Sequence, residues 1–490
     1  MKNASFAYRF ACPGLAALML LTACSQATRH ETPAIDMPAA WKTQPAAGVA
    51  APDTAPEGWV RADQAARPLA ADWWRGWQDP VLSALMEQAA AHNQTVAAAA
   101  ASVRQAQALL EQQQAALWPT LGLQGSQQRS GGDARAAGGS GNLNLSASWA
   151  PDLWGRAASA ASAQAAAAQA SQADLAAARL AAQASLAQSY FALREADAEL
   201  ALLDDIIEGY ERSAAIAQRR FESGTVARTD ALQAQNTLES ARASRAALER
   251  NRHLAENAIA ALTGQPAAAF SLPPARSLHD WQRSLPAIAV DVPATLLLRR
   301  PDVAAAERAV AAANARIGAA RAAWFPTLNL NASAGGSGAT LADVISAPQL
   351  LWSLGLNLAQ TLFDAGARSA AEKQAIAAHE QAAAAYRQRA LTAMKEVQDQ
   401  LATLQTLARQ QRHAAASAEN AAAIEQQMLN RYRAGLVAYT EVVTAQASAL
   451  TARRSLMQLQ LQRQQAAIAL IQALGGGWQT PQQTPQQAPQ

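Results

Sequence analysis

The chain has 490 residues and a net charge of +3, and only 16% of its residues are charged. Lys and Arg are scattered through Ala- and Gln-rich stretches, which argues against a nucleic-acid-binding surface. Aromatic residues make up 5% of the chain while alanine dominates, a composition typical of long helices that approach each other closely.

The N-terminus has the pattern of an export signal. Two basic residues precede a short apolar run, 14–23, which predicts a lipoprotein signal peptide over residues 1–23. Residues 21–24 (LTAC) resemble a bacterial lipobox, which implies an S-diacylglycerol and an N-acyl chain on Cys24. Cys24 is followed by Ser25. In bacterial lipoproteins an Asp at this position usually signals retention at the inner membrane, so the resemblance implies export to the outer membrane. Ordinary cleavage beside an incidental cysteine is the alternative.

The rest of the chain contains two similar halves. ALWPTLGL at 116–123 matches AWFPTLNL at 323–330, and RFESGTVARTDALQAQ at 220–235 matches RYRAGLVAYTEVVTAQ at 431–446. Several matched blocks in the same order indicate a duplication. The predicted organisation is an N-terminal anchor and equatorial segment at 24–79, repeat 1 at 80–265, an equatorial linker at 266–291, repeat 2 at 292–477 and a flexible tail at 478–490.

Each repeat begins as a helix and then changes period. In repeat 1 the helical pattern covers 79–117 and starts with Asp79-Pro80, an N-cap followed by proline. Apolar residues then alternate with small polar ones over about 118–152 and about 325–362, which predicts a β-hairpin in each repeat. A Gly- and Ser-rich connector is predicted over 130–142. The alternation is typical of lipid-facing barrel strands, although two soluble hairpins on a core remain an alternative.

A long helix follows each hairpin, over about 154–222 and about 364–432, and each is roughly 100 Å long. A shorter helix returns over about 226–263 and about 437–474, with small apolar residues at every seventh position as in coiled coils. The helix before each hairpin and the return helix are predicted to be of similar length, so that two placed end to end match one long helix. Each repeat then supplies two helical columns and two strands.

Four strands per chain have a consequence for assembly. No stretch after the signal gives about 18 uninterrupted apolar residues, so a membrane would be spanned by strands. Four strands cannot close a barrel, and an open sheet in lipid leaves edge N–H and C=O groups unpaired. A cyclic trimer would supply twelve strands and twelve helical columns, whereas a dimer would supply eight strands with little space inside.

Several blocks resemble the outer-membrane factors, the outer membrane efflux proteins of Gram-negative tripartite efflux systems, and specifically their lipoprotein branch. The most specific block is VPATLLLRRPDVAAAERAVAAANARIGAARAAWFPTLNL at 292–330, and WAPDLWGR at 149–156 and MKEVQDQLA at 394–402 also fit. The resemblance covers nearly all of 24–477. It implies a mixed fold, with long helices forming a periplasmic α-barrel and four strands per chain forming a twelve-stranded transmembrane β-barrel in a homotrimer.

The resemblance also implies a function. The trimer would be a passive exit duct in the Gram-negative outer membrane, anchored by lipid, for drugs or other small toxic compounds. Its partners would be a periplasmic adaptor (membrane fusion protein), an inner-membrane pump of the RND type and outer-membrane lipid. Because the pump supplies the energy, no cofactor is expected. Export of metal ions or proteins is an alternative, as is a non-conducting periplasmic coiled-coil scaffold lipoprotein.

The two glycine breaks are the sharpest candidate sites. Gly224 and Gly435 can adopt the left-handed conformation that ends a helix. Thr229-Asp230 and Thr440-Glu441 are predicted to cap the return helices. The resemblance implies that these turns dock the adaptor, through Gly224, Thr225, Val226, Gly435, Leu436 and Val437. Asp230 and Glu441, repeated by symmetry, are predicted to line or flank the periplasmic aperture and to favour cations.

The remaining chemistry is sparse. The six histidines are isolated, no helical zinc motif or Ser/His/Asp grouping is present, and no metal site or enzyme activity is predicted. Arg299-Arg300-Pro301-Asp302-Val303 is interpreted as a structural element at a helix start rather than a charged functional site. Tryptophans near the N-terminus favour either a membrane-interface belt or packing against helices, namely Trp41, Trp59, Trp73, Trp74 and Trp77.

Overall fold

The computed structural model describes residues 29–43, 59–61, 69–132, 135–275, 285–286, 288–290, 293, 299–346 and 350–478. The predicted signal peptide, Cys24 and almost all of the predicted tail lie outside these residues. The chain divides into two compact units. The first contains 1–35, 101–172 and 305–388, and the second contains 36–100, 173–304 and 389–490.

The helices are α1 (Pro80–His92), α2 (Gln94–Ala115), α3 (Arg156–Glu222), α4 (Arg228–Leu262), α5 (Pro301–Ala322), α6 (Leu341–Ser346), α7 (Ala367–Arg433) and α8 (Tyr439–Ala473). The strands are β1 (Trp59–Arg61), β2 (Thr120–Gly132), β3 (Arg135–Trp149), β4 (Ile288–Val290), β5 (Thr327–Gly338) and β6 (Leu350–Ala359). Within the described residues, no helix is both long and apolar enough to cross a membrane.

The first unit contains a four-stranded antiparallel sheet in the order β2-β3-β5-β6. Its register places apolar residues in rows across the strands. One such row contains Leu123, Leu145, Ala334 and Trp352. Neighbouring rows on the opposite face contain mostly glycine and polar residues, with Leu351 as an exception, because successive side chains of a strand alternate between faces. The four strands predicted from this alternation are therefore present, on a sheet with one apolar and one polar face.

The connectors of the two hairpins differ from the prediction. The connector predicted over 130–142 is wrong, because β2 continues to Gly132 and Gly138 pairs with Ser130 in the ladder. Glycine lacks a side chain but still supplies the backbone groups that a ladder requires. The second hairpin contains α6, which was not predicted, where the Thr340 N–H donates to Asp343 Oδ2 at 2.8 Å and the Asp343 N–H to Thr340 Oγ1 at 3.3 Å. This reciprocal pair resembles a capping box.

One buried cluster of the second unit contains the tryptophans of a 3-10 helix, Trp73–Trp77. Trp73 packs edge-on against Trp74 and Trp77, and all three are buried. The Trp77 indole N–H donates to Gln464 Oε1 of α8 at 2.6 Å. The structure therefore supports the packing interpretation for these three tryptophans. In the same unit, β1 pairs in parallel with β4, which joins the N-terminal segment to the stretch between the repeats.

The helix lengths agree with the prediction after the hairpins and disagree before them. Helices α3 and α7 have 67 residues each, and the return helices α4 and α8 have 35 each. Before the second hairpin, α5 has only 22 residues. The helix predicted over 79–117 is interrupted at Asn93, whose Oδ1 accepts from the Val96 N–H at 3.0 Å and whose Nδ2 donates to the Leu262 carbonyl at 2.9 Å.

Candidate functional site at the two helical turns

The first turn joins α3 to α4 through Gly224. This glycine has φ +72°, in the left-handed region. Its N–H donates to the Phe221 carbonyl at 2.9 Å, and the Thr225 N–H donates to the Arg220 carbonyl at 2.9 Å. These two bonds form a Schellman motif, which satisfies carbonyls that the end of a helix would otherwise leave unpaired.

The second turn, between α7 and α8, has the same backbone arrangement. Gly435 has φ +74°, its N–H donates to the Tyr432 carbonyl at 2.9 Å, and the Leu436 N–H donates to the Arg431 carbonyl at 2.9 Å. A Cβ built on Gly224 or Gly435 would meet no atom within 4 Å. Glycine is therefore favoured at both positions by its backbone conformation and not by lack of space.

The side chains of the two turns differ. In the first, Ser223 Oγ and Thr225 Oγ1 both donate to the Arg220 carbonyl, at 2.9 and 2.8 Å, so both hydroxyls are turned toward the helix end. The second turn has Ala434 and Leu436 at these positions, and Leu436 is 70% exposed. The first turn thus uses its hydroxyls internally, whereas the second presents a large apolar side chain to the surroundings.

A shared core lies beneath both turns. It contains small and aromatic residues of α3, α4, α7 and α8, and Val437 packs against it. Tyr432 and Tyr439 pack edge-on with ring centroids 5.2 Å apart, and the Arg220 guanidinium lies 4.8 Å from the Tyr432 ring centroid. Burial raises the pKa of the Tyr439 hydroxyl to about 12. The two turns are therefore held together by packing between the helices on which they stand.

The acidic residues after each turn lie in the first turn of the return helices, as predicted. Asp230 is half-buried and Glu441 is exposed, and neither side chain makes a hydrogen bond or ion pair with another described residue. A carboxylate at this position interacts favourably with the helix dipole.

The predicted capping by Thr229 and Thr440 is wrong. The N-cap residues are Ala227 and Ala438, two positions before these threonines. Both have extended backbones and make no side-chain capping bond.

The charged motif at the start of α5 forms an ion cluster around the buried Arg300. Arg300, only 6% exposed, donates to Asp302 Oδ2 at 2.6 Å, to Glu396 Oε2 at 2.6 Å and to the Ala473 carbonyl at 3.0 Å. Arg389 of α7 also pairs with Asp302, at 2.8 Å. Burial would raise the pKa of Asp302, but the bonds and charge of Arg300 lower it below its usual value. These contacts support the structural interpretation of the motif.

Sequence reasoning missed a group of buried carboxylates on α3. Asp197 is paired with Arg194 at 3.1 Å and with Arg252 of α4 at 2.7 Å. Glu199 is paired with Arg454 of α8, and Glu195 lies one turn away on the same helix. The run READAEL at 194–200 could have indicated this group, because it is unusually charged for an Ala- and Gln-rich helix.

Two further predictions concern the lipid attachment site and metal binding. Cys24, the predicted lipid attachment residue, lies outside the described residues. Within the described part of the chain, no group of three or more His, Cys, Asp or Glu side chains is arranged to hold a metal ion.

Comparison with known proteins identifies the family. The model of the outer membrane efflux protein family matches residues 85–265 and 292–476. The chain is 30% identical over 474 residues to the toluene efflux pump outer membrane protein TtgI of Pseudomonas putida, covering 95% of this chain and 98% of that protein. It is 29% identical over 468 residues to the cation efflux system protein CusC of Escherichia coli, covering 94% and 97%.

The fold agrees with these matches. A crystal structure of CusC, described in connection with transmembrane channel formation, has a TM-score of 0.78 and 28% identity, covering 93% of this chain and 100% of that one. Long helices with a four-stranded sheet, matched to such a structure over nearly the whole chain, define an outer-membrane component of an efflux system. The chain belongs to the outer membrane efflux protein family. The family resemblance, the outer-membrane location and the efflux function predicted from the sequence are therefore confirmed.

Proposed function

We propose that three copies of the chain form a passive exit duct, which conducts drugs or other small toxic compounds from an inner-membrane pump of the RND type across the outer membrane. The observation that carries this proposal is the open sheet. In the order β2-β3-β5-β6, β2 and β6 are edge strands, and each pairs with only one other described strand. In lipid, every unpaired backbone group costs several kcal/mol, so the edges of an outer-membrane protein need partners.

Strand directions support closure by further copies. All three pairings in the sheet are antiparallel, so β2 and β6 run in opposite directions. The β6 edge of one copy and the β2 edge of the next can therefore pair antiparallel, with no change of pattern around a ring. Three copies would close a twelve-stranded barrel, while two would give eight strands and a nearly filled interior.

The two faces of the sheet support the same arrangement. Five large apolar residues of β6 alternate along one face and are exposed in the single chain: Leu350, Trp352, Leu354, Leu356 and Leu358. Apart from Leu351 near the start of the strand, small or polar residues, including Ser353 and Asn357, occupy the other face. A barrel with the apolar face outward would contact lipid and present polar groups to its lumen.

The turns are proposed as the periplasmic end of the duct. Gly224, Thr225 and Val226, with Gly435, Leu436 and Val437, would dock a periplasmic adaptor. The exposed Leu436 and the shared core beneath both turns support a preformed contact surface. In a trimer, three copies each of Asp230 and Glu441 would add negative charge near the aperture and favour cations. A lipid on Cys24 would assist anchoring without being required for insertion.

The transported compound is proposed only by class. TtgI is named for toluene efflux and CusC for cation efflux, so relatives of similar identity serve different compounds. The similarity to CusC favours metal-ion export as the second candidate function. In either case, the pump and not the duct would make most of the selection.

The proposal is tested by assembly and conduction with a matched pair of variants. Leu356→Arg places a charge on the apolar face of β6, which costs about 2–4 kcal/mol at the centre of a membrane. Asn357→Arg places the same charge on the polar face of the same strand. We expect wild type and Asn357→Arg to form trimers that conduct in planar bilayers, and Leu356→Arg to lose insertion. A wild-type protein that neither forms trimers nor conducts would favour the periplasmic scaffold.

Docking at the turns is tested separately. Bulky replacements of Gly224 and Gly435 should reduce crosslinking to the adaptor and reduce drug resistance in cells, while purified trimers still conduct. Undiminished crosslinking and efflux would exclude the turns as the docking surface.

Insertion of a Cys24→Ala variant, carried by a cleavable signal, tests whether the lipid is dispensable.

A further inference from the structure

Helices α3, α4 and α8 enclose a groove in the second unit, next to the carboxylates that the duct function does not use. Its volume is about 420 Å³. Alanine and leucine side chains of all three helices form much of its wall. The ionisable groups that line it are Glu195 and Glu199 of α3 and Arg454 of α8. The groove is therefore mostly apolar, with three charges concentrated on one side.

The charges in this groove do not balance. Glu195 is 7% exposed and Glu199 is 2% exposed, and Arg454 donates its Nε hydrogen to Glu199. The other polar groups that line the groove are uncharged, namely Ser244 and Asn251 of α4 and Gln458 of α8.

Two further arginines of α3 and α4 are already engaged. Arg194 and Arg252 both bind Asp197. Among the described residues, the Arg454 guanidinium is thus the one cation beside the two carboxyl groups of Glu195 and Glu199.

Two carboxyl groups one helical turn apart, with one cation, favour retention of a proton. Burial and the negative charge of Glu199 raise the pKa of Glu195 to about 7, and the charge of Arg454 opposes the rise. With the proton on Glu195, its O–H can donate to the Glu199 carboxylate, which remains paired with Arg454. Release of the proton to water leaves two carboxylates competing for that guanidinium.

This arrangement is not required for packing a long helix against the return helix of the other repeat. When α3 and α7 are aligned on their first residues, Thr406 and Gln410 of α7 take the places of Glu195 and Glu199. When α4 and α8 are aligned in the same way, Ala243 takes the place of Arg454. The second repeat therefore makes the same helices without the acidic pair or its cation.

We propose that Glu195 and Glu199 form a proton-binding site that couples acidity to the packing of α8 against α3. When the site holds its proton, Arg454 joins the two helices through a balanced ion pair. When the proton leaves, repulsion between the carboxylates weakens that contact and draws water into the groove. This inference goes beyond the duct function and does not depend on conduction.

The site is tested first by infrared spectroscopy of the purified full-length protein. A protonated carboxyl has a C=O stretching band that disappears on ionisation, so wild type should lose a band between about pH 6 and about pH 8. Glu195→Gln should lack this transition. Glu425→Gln is the matched control, because Glu425 forms a one-to-one pair with Arg453 at 3.2 Å, and it should keep the transition. A wild-type spectrum with no transition in this range that depends on Glu195 would overturn the proposal.

A second variant keeps the test decisive if Glu195→Gln fails to fold. Arg454→Gln removes the cation that stabilises the ionised pair, so the midpoint of the band should move to higher pH. An unchanged or lower midpoint would contradict the site. Hydrogen exchange of α8 around Arg454, corrected for the intrinsic pH dependence, should accelerate as pH rises through the transition in wild type. The same segment should show no such acceleration in Glu195→Gln, and equal acceleration in both would contradict the coupling.

Discussion

The two repeats share a backbone but differ in the side chains that hold it. Both long helices have 67 residues, both return helices have 35, and both turns close with the same pair of backbone hydrogen bonds around a left-handed glycine. The first turn secures its hydroxyls internally and the second exposes Leu436. Helix length and a single glycine thus give both repeats the same geometry, while the neighbouring side chains differ.

The starts of α1 and α5 also differ, although they are not equivalent positions, because the matched blocks align α5 with α2. In repeat 1, the N-cap Asp79 accepts from the Leu82 N–H at 3.1 Å and from the Tyr190 hydroxyl of α3 at 2.6 Å. In repeat 2, Asp302 lies inside the first turn and is held by Arg300 and by Arg389 of α7. An N-cap carboxylate that accepts from a tyrosine hydroxyl and an ion cluster around a buried arginine each fix a helix start against a long helix.

The largest expected effect comes from breaking the ion cluster of repeat 2. Arg300→Met leaves Asp302 and Glu396 without their main buried partner, and it should lower the free energy of unfolding by about 3–5 kcal/mol. Denaturant titration of the detergent-solubilised protein would measure this. Arg212→Met is the control, because its pair with Glu208 is exposed, and it should cost less than about 0.5 kcal/mol. Equal effects of the two variants would contradict the assigned role.

The same cluster has a pH signature with a defined sign. The pKa of Asp302 is lowered in the folded protein, so its contribution to stability is complete above the ordinary carboxyl pKa of 3.8. That contribution should be lost as pH falls below this value. Asp302→Asn should remove this part of the acid sensitivity, and an unchanged acid denaturation profile would argue against it.

In repeat 1, Asp79→Ala should cost about 2–3 kcal/mol. The change removes an N-cap, worth about 1 kcal/mol, and leaves the buried Tyr190 hydroxyl without its acceptor. Tyr190→Phe removes only the hydrogen bond and should cost about 1 kcal/mol. A double-mutant cycle would measure the coupling, and additive effects would show that the bond does not join the two helices.

Replacing the glycine of either turn by alanine should destabilise the protein by the same amount. Gly224→Ala and Gly435→Ala each place a Cβ in the left-handed region without any steric contact, so each should cost about 1–2 kcal/mol. Comparison of the two variants by thermal unfolding tests whether the duplicated backbones are energetically equivalent. A clear difference between them would show that the side chains of the turns contribute more than the shared geometry.

The smallest expected effect on stability comes from the acids after the turns. Asp230→Asn combined with Glu441→Gln should change stability by less than about 0.5 kcal/mol, since neither carboxylate has a partner among the described residues. Single-channel recordings should nevertheless show reduced cation preference. Unchanged cation selectivity would contradict the proposal that Asp230 and Glu441 lie at the aperture.

Features set by local pattern were predictable from the sequence, and those set by tertiary contacts were not. Alternation along β6, seven-residue spacing in α4 and the glycines at 224 and 435 each specify structure within one element. The break at Asn93 depends on a bond to the Leu262 carbonyl, far along the chain. The burial of Glu195 likewise depends on three helices meeting. A charged residue in a helical pattern is ordinarily interpreted as solvent-exposed, so this pair could not be distinguished by sequence alone.

The central claim is that three copies close the sheet between β6 and β2. Native mass spectrometry of the detergent-solubilised full-length protein measures the number of chains directly. We predict a single species of three chains in wild type and in Asn357→Arg, and no such species from the membranes of cells that produce Leu356→Arg, because this variant should not insert. A single chain or a dimer in wild type would contradict it.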